Sequence, residues 1–219
     1  MLGAIATAMV LVTSLGVAPA GVAKAAAIPV VLALSAGHRL VDHPFERLGP
    51  ANRLTLLRAV LIAAMAAFVG DPTAQVASPW LVLAGGIAFG MDWLDGRVAR
   101  ATGSASAFGA RLDEELDAIT VVVLGALAWG LGRAGAWILL AGAARYLYLA
   151  AGWVWPWMSR SLPHAPRRAW ACGVSVTALL GALAPWPGAA LSAAVAVAAV
   201  AGSFGIDIAW LWRRRADPA

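Results

Sequence analysis

Four aspartates, Asp92, Asp95, Asp113 and Asp117, have the plainest capacity for chemistry in this chain. Asp92 and Asp95 are three apart, and Asp113 and Asp117 four apart, so on helices each pair projects from one face. The pairs fall at facing ends of two consecutive apolar stretches, separated by a short polar run at 102–108. A hairpin there brings four mutually repelling carboxylates into one small volume. Hard divalent cations neutralise such a cluster best, Mg²⁺ or Mn²⁺ first and Ca²⁺ after them. A metal–carboxylate cluster beside arginine usually handles phosphate, because the cations offset charge on the transferring group. The structural alternative has the aspartates capping helix ends and pairing with Arg97, Arg100 and Arg111. It fits any one aspartate better than it fits all four at these spacings.

The small residues around the aspartates sharpen the picture. Gly96 and Ala99 share the face of Asp92 and Asp95 and would let a nucleotide approach the helix backbone. Gly109, one turn before Asp113, permits close helix packing or substrate entry. Arg100 is placed to pair with a diphosphate.

The elements that must position these residues are set by composition. Of 219 residues, 62% are hydrophobic and 12% charged, and mean hydropathy is +0.80. A soluble domain carries about a quarter charged residues, so too few polar side chains exist here to cover a water-facing surface. A disordered chain is excluded by the same figures. An integral membrane protein remains, all-α, with helices apolar on almost every side. The net charge of +5 suits positive-inside topology and anionic lipid rather than nucleic acid. The single cysteine, Cys172, rules out an intrachain disulfide.

Six candidate spans follow residue 50, at about 52–70, 79–101, 109–132, 134–154, 168–185 and 188–212. Asp71-Pro72, Gly132-Arg133, Pro156 with Pro163 and Pro166, and the Pro185-Trp186-Pro187-Gly188 turn separate them. No stretch alternates with period two, so a barrel is not expected. Residues 1–37 form a hydrophobic extension read as two short helices in a hairpin, with Pro19, Gly21 and Lys24 between them. One span followed by an interfacial helix, or a signal peptide cleaved near Ala18-Pro19-Ala20, are the rival readings. Residues 38–51 suit an amphipathic interfacial segment, and 52–213 make the membrane domain.

Counting arginines around the six spans puts thirteen on one side and only Arg133 on the other. The arginine-rich side is therefore expected to be cytoplasmic. Eight of the eleven tryptophans lie near span ends and read as an interfacial aromatic belt.

Residues 92–117, DWLDGRVARATGSASAFGARLDEELD, match the pattern D-x2-D-G-x2-A-R-x8-G-x3-D-x3-D at all eight fixed positions. This resembles the signature of the CDP-alcohol phosphotransferase (phosphatidyltransferase) family. Asn52, Thr55 and Arg58 resemble that family's N-x-x-T-x-x-R opening, with the preceding proline displaced to Pro50. The resemblance covers about 50–212. It implies two divalent metal ions, Mg²⁺ foremost and Mn²⁺ next, held by Asp92, Asp95, Asp113 and Asp117, with Asp117 also the base. It implies that Asn52, Thr55, Gly96, Ala99, Arg100, Ser106 and Gly109 bind a CDP-linked lipid donor, CDP-diacylglycerol foremost. Ser106 stands where the family often has a threonine. A six-helix fold, a polar cavity open to the cytoplasm and a homodimer in a multi-pass membrane setting of the bacterial inner-membrane type are implied as well. The reaction so implied displaces CMP from the donor by attack of an acceptor hydroxyl.

The acceptor is less legible. Arg145 lies mid-span in AARYLYLAAGW, and Arg167 and Arg168 open the fifth span. Three arginines would suit an anionic acceptor. The alternatives are that Arg167 and Arg168 anchor a helix at lipid headgroups and that Arg145 pairs with Asp207. His38, His43 and His164 lack metal-site spacing, and at least one of Glu114 and Glu115 is expected to face away from the metals. Two other functions compete: an intramembrane prenyltransferase, which needs a second Asp-rich motif, and a noncatalytic scaffold or transporter, against which all four aspartates argue.

Overall fold

The structure is a computed structural model that describes residues 17–36, 49–103, 106–163 and 165–215. Among the described residues there are seven α-helices and no strand: α1 (Pro19–Ala36), α2 (Pro50–Ala67), α3 (Ala74–Ala101), α4 (Ala107–Gly130), α5 (Leu139–Val154), α6 (Pro166–Leu183) and α7 (Ala189–Arg213). Two short 3₁₀ turns, Ala136–Ile138 and Pro156–Ser159, flank α5. Pro50–Ala67, Ala74–Ala101, Ala136–Val154 and Ala189–Arg213 are long and apolar enough to cross a membrane. The fold is therefore an all-α membrane bundle. Helix α4 falls outside that group because Arg111, Asp113, Glu114, Glu115 and Asp117 crowd its first half.

The chain divides into two compact units, residues 1–123 and 124–219. In the first, α2 packs between α1 and α3. Helix α2 is buried nearly all round, through Ala59, Val60, Ile62, Ala63, Met65 and their neighbours. Helix α3 buries a single stripe, Ala74, Ser78, Leu81, Gly85, Ala88 and Asp95. The three- and four-residue steps of that stripe keep one face toward protein while the rest meets lipid. Continuing the stripe past Ala88 delivers Asp92 and Asp95 to the same face, so helical period alone aims both carboxylates at α2.

The contact between α1 and α2 is close. A Cβ on Gly21 would lie 2.6 Å from the Ala67 carbonyl, so only glycine permits this approach. The Lys24 ammonium donates to the Val69 carbonyl just past the end of α2, where a cation also suits the helix dipole. The loop to α3 turns at Gly70, with φ of +70°. There the Thr73 hydroxyl and amide donate to Asp71 and hold its carboxyl below the usual carboxylate range.

In the second unit α6 and α7 form the principal pair, and α5 packs on α7. The Trp186 indole donates to the Gly181 carbonyl over 2.7 Å and ties down the turn between them.

Several expected boundaries move. Pro19, Gly21 and Lys24 lie within α1 rather than between two helices, since proline is tolerated in a first turn. Pro50 and Ala51 open α2 instead of closing an interfacial segment. Helix α3 starts at Ala74, so Pro79 sits inside it rather than at its start. The first half of the expected amino-terminal hairpin, residues 38–48 of the interfacial segment, and all three histidines lie outside the described residues.

Candidate active site

The site is built on α2, α3 and the first half of α4, all of it within the first unit up to Val123. Asn52, Thr55 and Arg58 follow one another at three-residue steps on α2 and are all buried. Arg58 is the hub. Its guanidinium lies 2.8 Å from Asp92, 3.0 Å from Asp95, 2.7 Å from Asp113 and 2.8 Å from Asp117. The two terminal nitrogens divide the work: Nη1 meets Asp95 and Asp113, and Nη2 meets Asp92 and Asp117. A planar fork with fixed donor directions is what allows one cation to serve four partners.

Burial separates the carboxylates. The Asp95 side chain is 5% exposed, against 29% for Asp92, 39% for Asp113 and 30% for Asp117. Asp95 forms the floor, where the Thr55 hydroxyl lies 3.1 Å away. That hydroxyl is also 3.2 Å from the Ala51 carbonyl and has one proton to give. The other three aspartates form an accessible rim.

Carboxylates from both helices therefore converge as their spacing led one to expect, but around an unexpected cation. Arg97, Arg100 and Arg111 are the partners that the structural alternative names. Instead Arg97 stacks 3.9 Å over the Trp93 ring. Arg111 pairs with Glu114 at 3.3 Å and Glu115 at 2.9 Å. Arg100 is exposed and, among the described residues, makes no ion pair. Sequence reasoning counted Arg58 among the cytoplasmic-side charges, whereas it is 3% exposed inside the protein. The signal that marks it is an isolated charge in the middle of an apolar helix, which is costly and so seldom without purpose.

Four carboxylates and one guanidinium leave three uncompensated negative charges. Oxygen atoms of Asp92, Asp95 and Asp113 lie within 4.8 Å of one another. The donor set is all-oxygen and anionic, which suits a hard divalent cation.

Beside the carboxylates, Asn52 of α2 packs against Gly109 of α4. A Cβ on Gly109 would lie 2.6 Å from Asn52 Oδ1 and 3.3 Å from Ser106 Oγ. Among the described residues Asn52 Nδ2 is buried without a hydrogen-bond partner, a condition that costs free energy unless an acceptor arrives. Ser106 has a structural duty that its position alone did not reveal: its hydroxyl accepts the Gly109 amide at 3.0 Å and caps the amino end of α4. Gly96 leaves the helix surface low, its nearest foreign atom being Arg100 Nη1, 3.5 Å from a built Cβ. Ala99 is half-buried on the same helix.

The expected acceptor residues belong to the second unit. Arg145 is half-buried on α5. Arg167 and Arg168, at the start of α6, both grip Asp207 of α7. Arg168 does so through Nε and Nη2, each at 2.9 Å, and Arg167 through Nη2. Arg167 also donates to the Ser203 carbonyl at 3.2 Å. Asp207, offered by the sequence as a partner for Arg145, is thus held by Arg167 and Arg168.

The fold and the site define a polytopic helical membrane protein with a carboxylate-rich polar pocket. A sequence model of the CDP-alcohol phosphatidyltransferase family matches residues 49–207, well over half of the chain. The chain belongs to that family: it is an enzyme, a phosphotransferase that acts on a CDP-alcohol and an alcohol acceptor. No curated protein and no solved structure matched the chain.

Proposed function

We propose that this enzyme transfers a phosphatidyl group from CDP-diacylglycerol to a small hydroxyl acceptor, releasing CMP, with divalent cations in attendance. The observation that supports this most is the convergence of four aspartates from α3 and α4 with three negative charges left over after Arg58. Asp92, Asp95, Asp113 and Asp117 would hold two ions, Mg²⁺ or Mn²⁺. Bound there, the ions would neutralise the diphosphate and the charge that builds on the departing CMP.

The chain's own residues have the remaining tasks. Asn52 offers its unpartnered amide to the donor, and Thr55 orients Asp95. Gly96 and Ala99 keep the α3 surface low enough for the nucleotide, with Arg100 toward the diphosphate. Ser106 and Gly109 set the amino end of α4 against Asn52. The acceptor hydroxyl attacks the phosphorus that bears the diacylglycerol. Its oxygen–phosphorus bond forms as the bond to CMP breaks, and Asp117 takes the hydroxyl proton. General-base assistance of this kind contributes about 10²–10⁴-fold, and positioning can contribute more. An anionic acceptor read by Arg145, Arg167 and Arg168 belongs to the same proposal, as do a homodimer and a site open to the cytoplasm.

The deciding experiment follows radiolabel from CDP-diacylglycerol into lipid with a panel of hydroxyl acceptors. Transfer with stoichiometric CMP release is expected. No transfer from CDP-diacylglycerol, with transfer from another CDP-alcohol, would reassign the donor. In the same assay Arg145→Ala is expected to raise the acceptor KM more than the donor KM. Unchanged acceptor kinetics would remove Arg145 from the acceptor site.

A further inference from the structure

The second unit carries an open groove of about 610 Å³ between α5, the 156–159 turn and α7. Tyr148, Ala151, Trp155, Trp157, Phe204 and Trp212 supply most of its wall. Its volume lies within the roughly 300–1,000 Å³ range of small-ligand pockets, but its chemistry does not suit a polar ligand. Apart from the indole N–H groups of its tryptophans, the wall's polar side-chain group is the Tyr148 hydroxyl, which already donates to the Met158 carbonyl at 3.1 Å. Here the rings turn on one another: Trp157 meets Trp212 edge-on at 5.5 Å, and Tyr148 meets Phe204 at 5.4 Å. Trp155 and Trp212 remain about half exposed, so the groove is open from outside.

The groove has a charged rim. Arg215 lies 3.8 Å over the Trp212 ring of the wall, whereas Arg214 stacks 4.1 Å over Trp210, outside the wall. Among the described residues neither makes an ion pair. Arg160, at the end of the 156–159 turn, donates to the Arg214 carbonyl and brings a third guanidinium there. Asp207, the acidic residue next to Ile208 of the wall, is already held by Arg167 and Arg168. An apolar concavity with a cationic lip is complementary to an acyl chain that ends in an anionic headgroup.

We propose that this groove holds one acyl chain of an anionic phospholipid resident in the bilayer, with its phosphate against Arg215. None of the residues that carry the donor motif, all in 52–117, lines the groove, and the lipid proposed for it is a resident one rather than the donor.

The test is native mass spectrometry of the full chain in detergent, with dioleoyl phosphatidylglycerol or dioleoyl phosphatidylcholine as the probe. One phosphatidylglycerol is expected to be retained at least tenfold better than phosphatidylcholine. An Arg215→Gln variant should lower that preference to parity. Ala151→Trp should fill the groove and weaken retention of both lipids about tenfold. Should Ala151→Trp misfold, the arginine variant, altered at an exposed helix end, still decides the question. Equal retention of the two lipids by the unaltered protein overturns the proposal, as does retention unchanged in both variants. A donor KM that rises in step with phosphatidylglycerol loss would assign the groove to the donor. Loss of a dimer mass in Ala151→Trp would assign it to a second copy of the chain. Either result overturns the proposal.

Discussion

At the scale of single residues, Arg58 carries the most consequence. Removing one partner of a buried ion pair typically costs about 3–5 kcal/mol, because the opposite charge is left without compensation. Arg58→Met leaves four aspartates facing one another, so the thermal midpoint in detergent should fall markedly and turnover should vanish. If the cluster holds divalent cations, millimolar Mg²⁺ should recover part of the lost midpoint, and should recover less when Asp92→Asn is added. Arg58→Lys keeps the charge but not the fork, and should rank between the two. The aspartates should divide by role. Asp117→Asn keeps size and an oxygen ligand but takes away a proton acceptor, so it should bind CDP-lipid nearly normally by calorimetry. Its turnover should fall at least about 10²-fold. Asp92→Asn should lose metal-dependent donor binding as well. Normal turnover of Asp117→Asn, or equal binding loss in both, would end that division of labour.

At the scale of helices, the approach of α4 to α2 depends on Gly109. An added methyl would collide with Asn52 Oδ1 at 2.6 Å, and overpacking of this kind costs about 1–3 kcal/mol. Gly109→Ala should therefore stay folded, since the amide can swing aside. Swinging aside misplaces Asn52, so the donor KM should rise while the thermal midpoint drops by only a few degrees. Steady-state kinetics beside a melting curve separate the two effects. The helices themselves were legible because proline, glycine and Asp71 punctuate them, and because apolar runs of this length have few other uses. Boundaries slipped at Pro19, which opens α1 instead of separating two helices, and at Pro79, which sits inside α3 instead of at its start. Convergence of the aspartates was legible too, since i,i+3 and i,i+4 steps fix a face. Their cationic partner was not, because Arg58 lies 37 residues from Asp95 and 59 from Asp117. Arginines adjacent in sequence looked like better partners, yet helical geometry gives Arg111 to Glu114 and Glu115. The N-cap duty of Ser106 was hidden for a similar reason: a cap is recognised only once the helix start is known.

At the scale of the whole molecule, the site, on the proposed reading, shares its counter-charge between a fixed guanidinium and exchangeable cations. Excess EDTA should abolish turnover, and Mg²⁺ or Mn²⁺ should restore it. Arg58 should keep the stripped protein folded, so its far-ultraviolet circular dichroism should not change on chelation. Full activity in excess EDTA would overturn the metal-dependent reading. Unfolding on chelation would instead mean that Arg58 is too weak a counter-charge to hold α2, α3 and α4 together. The clamp of Arg167 and Arg168 on Asp207 does for α6 and α7 what Arg58 does for the first unit.

Arg58 also bears on how the chain is made. It sits ninth of the eighteen residues of α2, where a lone arginine opposes insertion by roughly 2.5–3.5 kcal/mol. Its partners do not yet exist when α2 leaves the ribosome: Asp95 follows 37 residues later, and Asp113 and Asp117 follow 55 and 59 later. Entry of α2 into the bilayer is therefore provisional until the hairpin behind it arrives, and that hairpin in turn needs a cation already in place. The order of synthesis, cation first and anions after, makes α2 to α4 a single unit of membrane insertion. A chain broken anywhere between them carries unmatched charge that the lipid will not accept.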